Sequence, residues 1–81
     1  MTQSLRPNIK PLTERQLAVL DGLAAGESNQ QLAERLNLTQ FTIKYHCRGI
    51  YQHFGVANRF ELICFLLRRH YKPQALATAA L

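Results

Sequence analysis

Residues 39–54 read Thr39-Gln40-Phe41-Thr42-Ile43-Lys44-Tyr45-His46-Cys47-Arg48-Gly49-Ile50-Tyr51-Gln52-His53-Phe54, and at 3.6 residues per turn this stretch has two unlike faces. Ile43, Cys47, Ile50 and Phe54 recur at i, i+4, i+7 and i+11, the spacing of a buried helical stripe. Phe41, Lys44, Tyr45, Arg48 and Gln52 fall on the opposite side. That side carries two long cationic donors one turn apart, Lys44 and Arg48, with an aromatic ring between them. Such a helix needs a core behind it and suits an anionic partner in front of it.

Working outward, the flanking sequence supplies helix starts and stops. Thr13 to Gln16, Ser28 to Gln31 and Asn58 to Glu61 have capping-box spacing. In that arrangement a short polar side chain accepts from the N3 amide, and Glu or Gln three residues on reaches back. Thr39 has the cap without the box. Gly26, Asn37 and Gly55 suit the left-handed residue that closes a helix. These signals predict helices near 14–25, 29–36, 40–54 and 59–71, and no segment alternates like a strand. The first helix buries Val19, Leu20 and Leu23, with Leu12 before its cap. The second buries Leu32, Ala33 and Leu36. About three residues separate it from the third helix, with small Ala33 at the close approach, which is helix-turn-helix spacing. The fourth helix is apolar over most of its circumference. Leu62, Ile63 and Leu66 are expected to cover the core. Phe60, Cys64, Phe65 and Leu67 are then left without an internal partner, the mark of an interface.

Eighty-one residues make one small domain: a lead-in over 1–11, a helical domain over 12–71 and a tail over 72–81. A chain of this length buries only about 60–65% of its unfolded surface, so stability calls for good helix packing or oligomerisation. Ten Lys+Arg against five Asp+Glu leave a net charge of +5. In so small a protein the excess favours nucleic acid before a membrane surface. Cys47 and Cys64 occupy apolar helix positions with no C-x-x-C pair and read as small hydrophobes in a reducing cytoplasm. The N-terminus lacks the apolar core of a signal peptide, and the longest apolar run, Leu62 to Leu67, is too short to span a bilayer.

At this point the residues form a recognisable pattern. It runs through Leu12-Thr13-Glu14-Arg15-Gln16, Val19-Leu20, Leu23-Ala24, Gly26, Ser28-Asn29, Leu32-Ala33, Leu36 and Leu38. It continues through Thr42-Ile43-Lys44, His46, Ile50-Tyr51, Gly55-Val56 and Asn58-Arg59. Together these closely resemble the LuxR-type helix-turn-helix family, which includes GerE-like, FixJ-like and NarL-like regulators. The resemblance covers roughly residues 12 to 70. It implies an all-α, four-helix DNA-binding domain whose third helix reads the major groove and whose fourth helix forms a two-fold dimer. The family's base-contacting positions fall on Lys44, Tyr45 and Arg48. Its phosphate-contacting positions fall on Gln30, Thr39, Thr42, His46 and Arg59. The family implies a bacterial cytoplasm or nucleoid. Four departures stand out: Gln16 where an acidic residue is usual, Gln30 where Lys is frequent, Gly49 where Asn is usual, and Phe41 at a commonly polar surface position.

The residue chemistry agrees with that assignment. Lys44 and Arg48 each suit guanine O6 and N7, Arg in bidentate fashion, and Tyr45 suits a thymine methyl or a phosphate. The bland alternative is a solvated basic face. Thr39 and Thr42 stand at a helix N-terminus, a natural phosphate site, although Thr39 also serves as a plain cap. Arg59 opposes the dipole of the fourth helix, which a phosphate partner would explain. His46, His53 and Cys47 lack a zinc ligand spacing and a converging carboxylate, so no metal or cofactor is expected. No acid, base and nucleophile form a constellation, so enzymatic activity is not expected. The sequence thus predicts a homodimeric DNA-binding transcriptional regulator that recognises an inverted repeat. Phe60, Cys64, Phe65 and Leu67 form its seam. The alternative is a small interaction protein that pairs through its fourth helix with another regulator and inhibits or redirects it. The 81 residues hold no phosphoacceptor or small-molecule domain of the kinds that precede this module in larger regulators, so the chain reads either as a stand-alone member, which Met1 and its lead-in favour, or as a fragment of a longer regulator.

Overall fold

The computed structural model describes residues 11–71. The expected tail and all but the last residue of the expected lead-in lie outside the described residues. Within them the chain forms four helices, α1 (Glu14–Ala24), α2 (Asn29–Leu36), α3 (Gln40–Phe54) and α4 (Arg59–Arg68), and no strand. The starts follow the capping chemistry. Thr13 and Ser28 accept from the amides of Gln16 and Gln31, whose side chains accept in return from the cap amides at 2.9 and 2.8 Å. Thr39 caps α3 through the Thr42 amide. Asn58 caps α4, but the Glu61 carboxylate reaches one residue further back, accepting from the Ala57 amide at 2.8 Å.

All four helices close in one way. The amides of Glu27, Leu38, Val56 and Tyr71 donate to the carbonyls of Gly22, Ala33, Tyr51 and Leu66, five residues back. This 6→1 bond is the signature of a Schellman turn. The residue before each donor has positive φ: Gly26, Asn37, Gly55 and His70. The first three are the sequence-expected stops. His70 ends α4 at Arg68, three residues before the expected end at 71. A histidine at a left-handed position carries no sequence signal comparable to glycine, so only the structure reveals this stop.

The core joins Val19, Leu20 and Leu23 of α1 with Leu32 and Ala33 of α2, Ile43, Cys47 and Ile50 of α3, and Leu62 and Leu66 of α4. Helix α3 packs against α1 and α2, while α4 packs against α1 and α3. At Gly22 α1 lies close against α2, where an added Cβ would collide with the Leu32 side chain. Glu27 and Arg35 brace the same place through a 2.9 Å ion pair.

The expected division of α4 needs correction. Ile63 is only half-buried and lies outside the core, whereas Phe65 packs against it, its ring 5.1 Å from that of Phe54. Helical periodicity places Ile63 and Phe65 symmetrically about the Leu62–Leu66 line. The side on which the Phe54 ring of α3 approaches decides between them. The guanidinium of Arg69 then covers the Phe65 ring at 4.0 Å.

Candidate nucleic-acid interface

Helix α3 is held from behind and open in front. Ile43, Cys47 and Ile50 anchor it in the core, and Phe54 is half-buried at its end. On the other side Lys44, Arg48 and Gln52 are exposed, Phe41 is 80% exposed and Tyr45 69% exposed. Among the described residues the one ion pair is Glu27–Arg35, so neither Lys44 nor Arg48 is neutralised by a carboxylate. At 1.5 Å rise per residue these two residues are about 6 Å apart along the axis, close to two base-pair steps.

The helix termini carry the other expected positions. Gln30 is exposed in the first turn of α2. Thr39 is exposed at the cap of α3, and its hydroxyl meets that of Thr42 at 3.0 Å. His46 is half-buried, with Tyr45 edge-on at 5.8 Å. Arg59 opens α4 beside the Cys47–Tyr51 pair, where burial raises both pKa values and the Arg59 charge opposes that rise. Burial outweighs that pull: it pushes the Cys47 thiol up, and the neighbouring Tyr51 hydroxyl and the Arg59 charge oppose it only in part. Cys47 is thus a protonated core thiol, not an activated nucleophile. His53 stacks edge-on against Phe54 at 4.8 Å. No group of three or more His, Cys, Asp or Glu side chains is arranged to hold a metal among the described residues.

Two features escaped sequence reasoning. A hollow of about 120 Å³ opens on the cationic face, lined by Gln16, Tyr45, Arg48, Gly49 and Gln52. It joins α1 to α3, so spacing within either helix gives no hint of it. The second is the place of Ile63 on the exposed flank of α4, beside the expected Phe60, Cys64 and Leu67. Phe60 and Leu67 are 76% and 68% exposed, and with half-buried Ile63 and Cys64 they stand at i, i+3, i+4 and i+7. Swapping Ile63 for Phe65 turns the expected scatter into one continuous line.

A capped helix pair joined by a tight turn, with a cationic open face on the second helix, defines a helix-turn-helix module of the DNA-binding class. The chain belongs to the luxR family of bacterial regulatory proteins, whose pattern matches residues 10–66. It is 45% identical over 53 residues to the HTH-type transcriptional regulator MalT of Vibrio campbellii (strain ATCC BAA-1116), covering 65% of this chain and 6% of that protein. The same identity and coverage hold for the MalT of Yersinia pestis (strain Pestoides F). The chain thus spans about 6% of the length of these curated relatives. No solved structure matches it. No helix among the described residues is long and apolar enough to cross a membrane.

Proposed function

We propose that this domain binds duplex DNA as a homodimer and regulates transcription, with α3 in the major groove and α4 at the two-fold axis. The observation that carries the reading is the open face of α3, where Lys44 and Arg48 form no ion pair among the described residues and stand beside exposed Tyr45. Lys44, Tyr45 and Arg48 read base edges. Gln30, Thr39, Thr42, His46 and Arg59 hold the phosphates around them. Membership of a bacterial regulatory family and likeness to proteins named transcriptional regulators support the regulatory role. A twin related through α4 would place two such faces on an inverted repeat about one helical turn apart. The setting is a bacterial cytoplasm or nucleoid.

The test is binding to duplexes selected from random sequence. Arg48→Ala is expected to lose about 1–3 kcal/mol at the selected site and to relax the preference at one base. Equal affinity of variant and parent in a fluorescence titration would remove Arg48 from base readout.

A second reading rests on Phe41, a large apolar side chain that protrudes from the same face. On that reading the protein pairs through α4 with another regulator and inhibits or redirects it. Selection that enriches no duplex, together with a stable complex between this chain and a second regulator, would favour it.

A further inference from the structure

We propose that Gln16 is a further DNA contact: its amide donates to a backbone phosphate oxygen seated in the hollow between α1 and the open face of α3. The inference rests on the DNA-binding reading above and adds to it a residue from a different helix. The orientation of the amide is set by the capping box. Gln16 Oε1 accepts from the Thr13 amide at 2.9 Å. A side-chain amide is planar, so this bond sends Nε2 away from the cap. Its two N–H groups have no hydrogen-bond partner among the described residues. They face Gly49 instead. A Cβ at position 49 would lie 2.7 Å from Nε2, so the missing side chain keeps the donor open to the hollow.

Arg48 lines the same hollow and gives it positive charge, with Tyr45 and Gln52 completing the wall. A volume of about 120 Å³ admits the oxygens of one phosphate group. Two amide N–H groups beside a guanidinium call for an anionic acceptor. The side chain also reaches in from a neighbouring helix. With the outward face of α3 on base edges, a group approaching from α1 meets the wall of the groove, which is sugar and phosphate.

Gln16→Glu is the decisive variant because it is isosteric. One carboxylate oxygen still accepts from the Thr13 amide, so the cap is kept, while the two donors become an anionic oxygen. Affinity for the duplex selected by the parent chain is expected to fall about tenfold or more at low salt. Gly49→Ala provides a second arm. It removes a mid-helix glycine, and that gain in helix propensity offsets the strain put on the Gln16–Thr13 bond, so the fold is expected to hold. Its Cβ displaces the Gln16 amide, so affinity is expected to fall. Replacing phosphates one at a time by neutral methylphosphonates should then reveal one position that weakens the parent and strengthens Gln16→Glu. Parent-like binding by both folded variants, with Arg48→Ala still impaired, would overturn the role of Gln16 and leave the DNA-binding reading standing. If the parent chain enriches no duplex, that reading fails, and the phosphate contact with it.

Discussion

Two glycines stand inside helices, and the space around each gives them opposite roles. At Gly22 an added Cβ meets the Leu32 side chain, which is fully buried and has no free direction in which to move. Helix propensity alone would make Gly22→Ala stabilising by up to about 1 kcal/mol. Overpacking a filled core costs typically about 1–3 kcal/mol, so the net change is expected to be destabilising. A lowered midpoint in urea denaturation is the measurement, and an unchanged or raised midpoint would show that α1 and α2 can separate freely. At Gly49 the near neighbour among the described residues is the end of the Gln16 side chain, which can swing aside only by straining its capping-box bond, so there the propensity gain is partly offset rather than overturned. In the sequence the two departures at Gln16 and Gly49 look independent, because nothing in a linear pattern says that α1 lays one beside the other. Capping and the open face were legible from single residues, as with Thr13 and Arg48. The hollow was not, because its walls belong to separate helices.

At the scale of elements, the four Schellman closures show what local chemistry can and cannot announce. Glycine and asparagine declare a left-handed turn by their low steric cost. His70 adopts the same conformation for a tertiary reason: the turn delivers Tyr71 to α1, where its hydroxyl donates to Asp21 Oδ1. That clasp fixes the end of α4 and predicts a response to alkali. Burial first, then the hydrogen bond to Asp21 and its charge, hold the Tyr71 phenol well above the ordinary tyrosine value near 10. The folded state therefore favours the neutral phenol. Its stabilising effect is complete below about pH 10 and is lost as pH rises toward the folded-state value, because the unfolded chain releases the proton first. Tyr71→Phe is expected to start with a lower melting temperature at neutral pH and to lose less of it between about pH 9 and 11. Tyr51, also raised by burial, leaves the variant with some residual alkaline dependence. Parallel melting curves for parent and variant across that interval would count against the clasp.

At the scale of the molecule, the strip on α4 bears on assembly. Phe60, Ile63, Cys64 and Leu67 form an apolar line, and two of them are largely exposed. On the homodimer reading, Leu67→Glu is expected to shift sedimentation from dimer to monomer while leaving the core intact, since Leu67 is 68% exposed and outside the buried core. An unaltered dimer would move the seam elsewhere. Because a chain of net charge +5 would draw much of its affinity from phosphates, binding should also weaken steeply with salt.

By itself, the sequence determined the number of helices, three of their four stops, the core stripes of α1, α2 and α3, and the cationic face of Lys44, Tyr45 and Arg48. These follow from periodicity and capping, which act within a turn or two of chain. Tertiary structure decided which flank of α4 is buried, where α4 ends, and that the Gln16 amide opens onto the exposed face of α3 beside Gly49. Each of those depends on the approach of a second helix, and a one-dimensional pattern leaves the direction of that approach open.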